Sequence, residues 1–309
     1  MPIRALILDM DGVVWRGSQP LGDLPALFAR LDALGISAVF VTNNATRSVE
    51  QYVERLRGLG VEVTADRILN SAQAAAHALA ERLPAGAWVY VIGEGGLRET
   101  LKNAGFRIAS ESNKTFDKTT NEKQPQHPRN PQQKAQPEHQ PSNTPQAVVV
   151  ALDRECTYRQ IRTATLLIRQ GALFVATNPD RTFPTPEGLV PGAGAIIAAV
   201  EAATDQPALI VGKPKPLLFQ MALERLGTRP EETLVVGDRL ETDIAGGQAA
   251  GCRTALVLSG VTSAEQAARW EPAPDLIAPD LTAVVDFLER ERHWQGRRVA
   301  KAPFLNENP

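Results

Sequence analysis

Two carboxylates one residue apart, Asp9 and Asp11, follow the apolar run Ala5-Leu6-Ile7-Leu8 and precede Gly12. Residues 4–8 read as a buried strand, so both acids leave its C-terminal end on one side of the sheet. That end is where parallel α/β sheets place their ligands. Two acids so close repel each other unless a cation or a shared proton relieves them. A cation also attracts phosphate, and the pair therefore points to metal-assisted phosphate chemistry. The bland alternative is a turn, with Gly12 free to take positive φ.

Three further groups repeat this placement. Thr42-Asn43-Asn44 ends the apolar run Val39-Phe40-Val41, where a hydroxyl and successive N–H groups suit phosphate, or simply open the next helix. Lys213 follows Leu209-Ile210-Val211 and would stand at the same sheet edge as a fixed positive charge, or as an ordinary solvated lysine. Asp238 follows Leu234-Val235-Val236-Gly237, and Asp243 lies near the start of the next helix, where a carboxylate suits the helix dipole. Capping accounts for Asp243 but not for Asp238 directly after a buried strand.

The elements that must carry these residues alternate. Strand-type runs fall at 38–42, 88–92, 147–152, 173–177, 209–211, 233–236 and 254–258. Helical periodicity falls at 24–34, 48–59, 71–83, 97–104, 158–169, 193–203, 216–226, 242–250 and 264–269. Such alternation predicts α/β architecture with parallel sheets, and the number of strands favours two units.

Composition narrows the partners. The 309 residues suffice for two modest domains, and 43% hydrophobic residues support a packed core. A formal net charge of −2, with no basic stripe or aromatic platform, predicts neither nucleic acid nor a membrane surface as partner. Cys156 and Cys252 show no metal-type spacing and imply a reducing compartment. His77, His127, His139 and His293 form no zinc pattern. The strand-like N-terminus carrying Asp9 and Asp11 argues against a signal peptide, and no apolar run approaches the ~18 residues of a membrane span. A cytoplasmic protein is expected.

One segment breaks the pattern. Between residues 112 and 146 the only large apolar side chain is Phe116, amid Gln, Pro, Asn, Lys and Thr. It cannot bury enough surface to offset its ordering entropy and reads as a disordered surface insertion, with a partner-binding tether as the alternative. The tail from 291 onward also reads as unpacked.

The four strand-end groups, taken together, resemble the motifs of the haloacid dehalogenase-like hydrolase superfamily: Asp9-Met10-Asp11-Gly12-Val13-Val14-Trp15, Thr42-Asn43-Asn44, Lys213-Pro214 and Gly237-Asp238-Arg239-Leu240-Glu241-Thr242-Asp243. The family often has Asp where this chain has Glu241. Val91-Ile92-Gly93-Glu94-Gly95-Gly96-Leu97, Ala176-Thr177-Asn178-Pro179-Asp180 and Pro191-Gly192-Ala193-Gly194 look like its NagD-type, 4-nitrophenylphosphatase-like branch.

The resemblance implies a Rossmann-like, doubly wound parallel core with a second, smaller α/β cap domain. The core would take residues 1–82 and 181–290, the cap 83–180 with the insertion inside it, and the tail 291–309. It implies a phosphatase of small phosphorylated metabolites. Asp9 would be the nucleophile that forms an aspartyl-phosphate, and Asp11 the general acid and then base. Asp9, the Asp11 carbonyl and Asp238 would hold Mg²⁺. Thr42, Asn43 and Lys213 would hold phosphate, with Gly12, Asn44 and Asp243 in support. Asn178 and Asp180 are hinge or substrate-entrance candidates. Cap-mediated dimers are common in the family, so a homodimer through the cap stays open. A phosphotransferase or mutase using the same intermediate, or a non-catalytic phospho-ligand-binding module, are the competing readings.

Overall fold

The structure is a computed structural model that describes residues 2–109, 144–185 and 187–290. The expected insertion therefore lies outside the described residues as far as residue 143, and the expected tail 291–309 lies outside them entirely. In chain order the elements before that gap are β1 (Ala5–Leu8), β2 (Trp15–Arg16), β3 (Gln19–Pro20), α1 (Leu24–Ala33), β4 (Ser37–Thr42), α2 (Val49–Gly58), β5 (Ile68–Asn70), α3 (Ser71–Ala80), β6 (Trp88–Ile92), α4 (Gly95–Asn103) and β7 (Arg107–Ile108). After it come β8 (Ala147–Val150), α5 (Tyr158–Arg169), β9 (Leu173–Ala176), β10 (Thr182–Thr185), β11 (Gly188–Pro191), α6 (Ala193–Thr204), β12 (Leu209–Ile210) and α7 (Leu217–Leu226). The chain continues through β13 (Thr233–Gly237), α8 (Ala245–Ala249), β14 (Arg253–Val257), α9 (Ala264–Ala268), β15 (Leu276–Ala278) and α10 (Leu281–Arg290).

Two parallel sheets result. The first has the order β15-β14-β13-β1-β4-β5, with β1 in the middle. Ala5 pairs with Thr233 on one side and Ser37 on the other, so β1 is buried on both faces, as its unbroken apolar sequence requires. The chain runs outward from β1 through β4 to β5, and from β13 through β14 to β15 in the opposite direction. The crevice between the ends of β1 and β13 is thus a topological switch point. The second sheet has the order β12-β9-β8-β6-β7. It repeats the design, with its own switch point between β6 and β8.

The sheets share a helical layer. α3 is buried almost all round through Ala72, Ala74, Ala75, Ala76, Ala78 and Leu79. A helix apolar on all sides belongs between two apolar layers, and its small side chains permit close approach. One continuous core joins it to Leu97 and Leu101 of α4, to Leu218 and Phe219 of α7, to Ile7 and Val39 of the first sheet and to Val91 and Val149 of the second. The outer face of the first sheet packs on α1, α2 and α10, and that of the second on α5 and α6. Residues 193–210, expected in the returning core, thus add a helix and an edge strand to the second sheet, so the sheet boundary does not fall at residue 180.

Three local results go beyond the sequence reading. β15 and α10 extend the first unit past the last expected element, and α10 buries Leu281, Val284, Val285 and Leu288. The expected helix 242–250 opens with a wide π-type turn, Leu240–Ile244, and only then becomes α8. Two short hairpins, β2–β3 and β10–β11, follow strand ends.

Candidate active site

Asp9 follows β1 and donates its N–H to Val236 O of β13 at 2.9 Å, which fixes it in the crevice between the two strands. Asp238 follows β13 and is buried. Thr42 is the last residue of β4. Three of the four expected groups therefore leave neighbouring strands of one sheet.

Lys213 corrects the fourth placement. The strand before it, β12, pairs with β9 and closes the second sheet. The pairing runs on through Val211 N–H to Ala176 O at 3.0 Å and Gly212 N–H to Thr177 O at 2.8 Å. Lys213 then reaches across to the first sheet. Its Nζ donates to Asp9 Oδ1 and to Asp243 Oδ1, each at 2.6 Å, and to Val41 O at 3.1 Å. Three acceptors satisfy the three ammonium donors. Burial alone would lower the Lys213 pKa, but Asp243 and Asp9 reverse that and leave it raised, so the side chain stays charged.

Carboxylate oxygens of Asp9, Asp238 and Asp243 lie within 4.8 Å of one another. Burial, opposed by Lys213 and reinforced by Asp243 and Asp238, holds Asp9 well above the ordinary carboxylate range. Burial and the Asp243 charge push Asp238 up to about 6. Asp238 Oδ2 accepts the Val261 N–H at 2.8 Å, whereas its Oδ1 is buried with no hydrogen-bond partner among the described residues. An orphaned carboxylate oxygen beside two other acids is a donor set that fits a hard divalent cation. Gly12 makes room for it: its φ is +85°, and a Cβ there would stand 2.5 Å from Asp238 Oδ2. The wide turn Leu240–Ile244 brings Asp243 inward, where its Oδ2 accepts the Arg239 N–H at 3.1 Å while Oδ1 holds Lys213.

Asp11 is exposed to the cavity and anchored by Trp15, whose Nε1 donates to Oδ1 at 2.9 Å. The buried Trp15 ring carries the Arg55 guanidinium 3.8 Å above it. Asn43 ties the two sheets together. Its Oδ1 accepts the Lys213 N–H at 2.8 Å, and its Nδ2 donates to Lys213 O at 3.0 Å and Asp180 Oδ2 at 3.3 Å. Asn178 Nδ2 donates to Asn43 O at 2.9 Å, and Asn178 Oδ1 accepts the Asp180 N–H at 3.1 Å. Asn178 and Asp180, expected at a hinge or entrance, are thus bonded into the same network. Burial, opposed by Arg239, raises the Asp180 pKa. Thr42 Oγ1 accepts the Asn44 N–H at 3.1 Å, and Asn44 Oδ1 accepts from Thr46, which shapes the loop before α2.

All the expected residues line one cavity of about 560 Å³. Sequence reasoning missed the arginines that share its wall, Arg16, Arg47, Arg154 and Arg239. Arg154 carried a usable signal, since Asp153-Arg154 follows the apolar run 147–152 as Asp238-Arg239 follows the run 234–237.

Comparison with known proteins identifies the family. The profile described as haloacid dehalogenase-like hydrolase matches residues 6–107, and the one described as HAD-hydrolase-like matches residues 210–284. The acid sugar phosphatase of Staphylococcus aureus is 31% identical over 287 residues, covering 93% of this chain and 98% of that protein. The p-nitrophenyl phosphatase of Archaeoglobus fulgidus superposes with a TM-score of 0.78 at 32% identity, over 93% of this chain and 100% of that one. A glycerol phosphate phosphatase of Mycobacterium tuberculosis, solved in complex with magnesium, superposes with a TM-score of 0.75 at 36% identity, over 91% of this chain and 76% of that one. The chain belongs to the haloacid dehalogenase-like hydrolase family. Within it the chain falls in the NagD-type, 4-nitrophenylphosphatase-like branch and is an enzyme of the phosphoric monoester hydrolase class. No helix among the described residues is long and apolar enough to cross a membrane.

Proposed function

We propose that this enzyme is a Mg²⁺-dependent phosphatase of small phosphorylated metabolites that works through an aspartyl-phosphate on Asp9. The observation that carries the reading is the Lys213 ammonium, buried and bonded at 2.6 Å to both Asp9 and Asp243 beside the orphaned oxygen of Asp238. Such an arrangement gathers positive charge where a phosphoryl group would sit and leaves a second cationic position among three acids.

In this reading Asp9 attacks phosphorus, the ester P–O bond breaks, and the alcohol oxygen takes a proton from Asp11. Water then attacks the phosphoryl group with Asp11 receiving its proton, which releases inorganic phosphate and restores Asp9. The Trp15 bond leaves Asp11 Oδ2 free for both transfers. Lys213, exchanging its Asp9 bond for a phosphoryl oxygen, joins the Thr42 hydroxyl and the Asn43 N–H in holding the phosphoryl group, while Asp243 keeps Lys213 oriented. Asp9, Asp238 and the Asp11 carbonyl would hold Mg²⁺, with Asp243 alongside. When bound, the cation would neutralise phosphoryl charge and draw Asp9 into its ionised form. The magnesium complex of the Mycobacterium tuberculosis relative supports the choice of metal, although that enzyme has also been solved with calcium. The second sheet closes the cavity from the opposite side and would exclude water and select the alcohol.

The test is release of inorganic phosphate from a panel of phosphate monoesters, with Mg²⁺ and again with EDTA, in the presence and absence of a sugar acceptor. Metal-dependent phosphate release without an acceptor is expected. Transfer to the acceptor in place of release would establish the phosphotransferase, and binding without turnover would establish the non-catalytic module.

A further inference from the structure

The second sheet has its own switch point, and from it Arg154 reaches the wall of the active-site cavity. The chain leaves β6 through α4 toward β7, and leaves β8 through α5 toward β9, which opens a crevice between the ends of β6 and β8. Glu94 follows β6 and Arg154 follows β8. Arg154 Nε donates to Glu94 Oε1 and Nη2 to Glu94 Oε2, both at 2.7 Å. This two-pronged pairing fixes the plane of the guanidinium. Arg154 Nη1 donates to no described residue, and Arg154 lines the active-site cavity.

The crevice is pressed against the phosphate loop. Gly96 donates its N–H to Thr46 O at 3.2 Å, and a Cβ on Gly96 would stand 2.4 Å from the Arg47 carbonyl carbon. Only glycine permits that approach, which brings the start of α4, and with it Glu94 and Arg154, beside Arg47. Arg47 and Arg239, also on the cavity wall, end in no hydrogen bond or ion pair with a described residue, although the field of Arg239 reaches Asp180 and Asp238. Arg16 is engaged by Ser259 O. Asp11 and Asp180, the acids outside the Lys213 cluster, accept from the neutral groups of Trp15 and Asn43, which offset no charge. Counted by charge, Arg16, Arg47, Arg154 and Arg239 stand against Asp11, Asp180 and the Arg154 partner Glu94, an excess of one positive charge on this wall.

We infer that Arg154, positioned by Glu94 and assisted by Arg47, binds a second anionic group on the leaving alcohol. The preferred substrates are then phosphate monoesters whose alcohol carries a carboxylate or another phosphate, ahead of esters of neutral polyols. The inference rests on the phosphatase reading and deepens it. A phosphate ester alone would be served by Lys213 and a cation, and a guanidinium fixed by a two-pronged carboxylate is suited to a planar or tetrahedral oxyanion.

The test uses the full chain with Mg²⁺ and four esters: 2-phosphoglycolate, a sugar bisphosphate, glycerol 3-phosphate and p-nitrophenyl phosphate. The readout is kcat/KM on each ester divided by that on p-nitrophenyl phosphate, for the wild type and for Arg154→Met, Arg154→Lys and Glu94→Gln. Loss of one charged hydrogen-bonding group predicts a fall of about 10- to 100-fold in the ratio for the anionic ester, mainly through KM, with no matching fall for glycerol 3-phosphate. Glu94→Gln should move the ratio in the same direction, and Arg154→Lys should retain part of it. Whichever anionic ester responds identifies carboxylate or second phosphate as the recognised group. A ratio unchanged by Arg154→Met, or an equal loss on all four esters, overturns the inference and leaves Arg154 as a staple between loops. Absence of turnover on every ester by the wild type overturns the phosphatase reading itself, a distinct result.

Discussion

Replacing Lys213 by Met removes its ammonium from the acid cluster and keeps much of its volume. Asp9, Asp238 and Asp243 would then stand within 4.8 Å of one another without it. Breaking a buried ion pair by deleting one partner costs about 3–5 kcal/mol. A second route to the magnitude is the proton that the metal-free cluster must take up in place of the lost charge. Protonating a carboxylate above its ordinary value of 3.8 costs about 1.4 kcal/mol per pH unit, hence about 4 kcal/mol at pH 7 and about 1.6 kcal/mol at pH 5. The two routes agree at neutral pH. The second also fixes the sign of the pH dependence: the folded variant binds a proton that its unfolded chain does not, so its deficit grows as pH rises. Urea unfolding of wild type and Lys213→Met in EDTA at pH 5, 6 and 7 measures this. The expected deficit is about 4 kcal/mol at pH 7 and less than half of that at pH 5. A deficit below about 1 kcal/mol, or one independent of pH, would refute the claim that Lys213 neutralises the cluster.

Two other perturbations follow from the same geometry. Asp238, raised to about 6 in the metal-free protein, must lose its proton before it can bind a cation. Asp9, also raised, must do the same, so Mg²⁺ affinity measured by calorimetry should weaken as pH falls from 7 to 5, by about tenfold per unit or more below about 6; an affinity constant from pH 7 to 5 would contradict this. Gly12→Ala places a Cβ 2.5 Å from Asp238 Oδ2 at φ +85°, so a stability loss of about 1–3 kcal/mol and weakened Mg²⁺ binding are expected in thermal melts with and without metal; an unchanged melting temperature would show that the loop relaxes freely.

Much of the site was legible because it is built from strand ends. Asp9, Thr42 and Asp238 each end or follow a buried apolar run, and an unbroken apolar run that stops at a polar residue gives both the element and its exit point. Lys213 was legible as a site residue but not in its origin, because a two-residue strand such as β12 carries no signal of which sheet it joins. That membership comes from pairing with β9, a non-local contact. Asn43 reads as a loop residue, and its part in joining Lys213, Asp180 and Asn178 exists only once both sheets are in place. The turn Leu240–Ile244 reads as plain helix because its widening answers to Asp243 and Lys213, not to local propensity. α10 differs, since Leu281, Val284, Val285 and Leu288 follow the helical i, i+3, i+4, i+7 spacing and were readable from sequence alone.

The claim that Asp9 carries the phosphoryl group meets its most direct test in the Asp11→Asn variant given p-nitrophenyl phosphate and Mg²⁺. Nitrophenolate leaves without needing a proton, so the first step proceeds, whereas water then lacks its base and the second step stalls. Acid quenching and mass spectrometry should find one phosphoryl group added to the peptide containing Asp9, and none when Asp9→Asn is combined with Asp11→Asn. A phosphoryl group on another residue, or a nitrophenolate burst with no phosphorylated enzyme, would contradict the account.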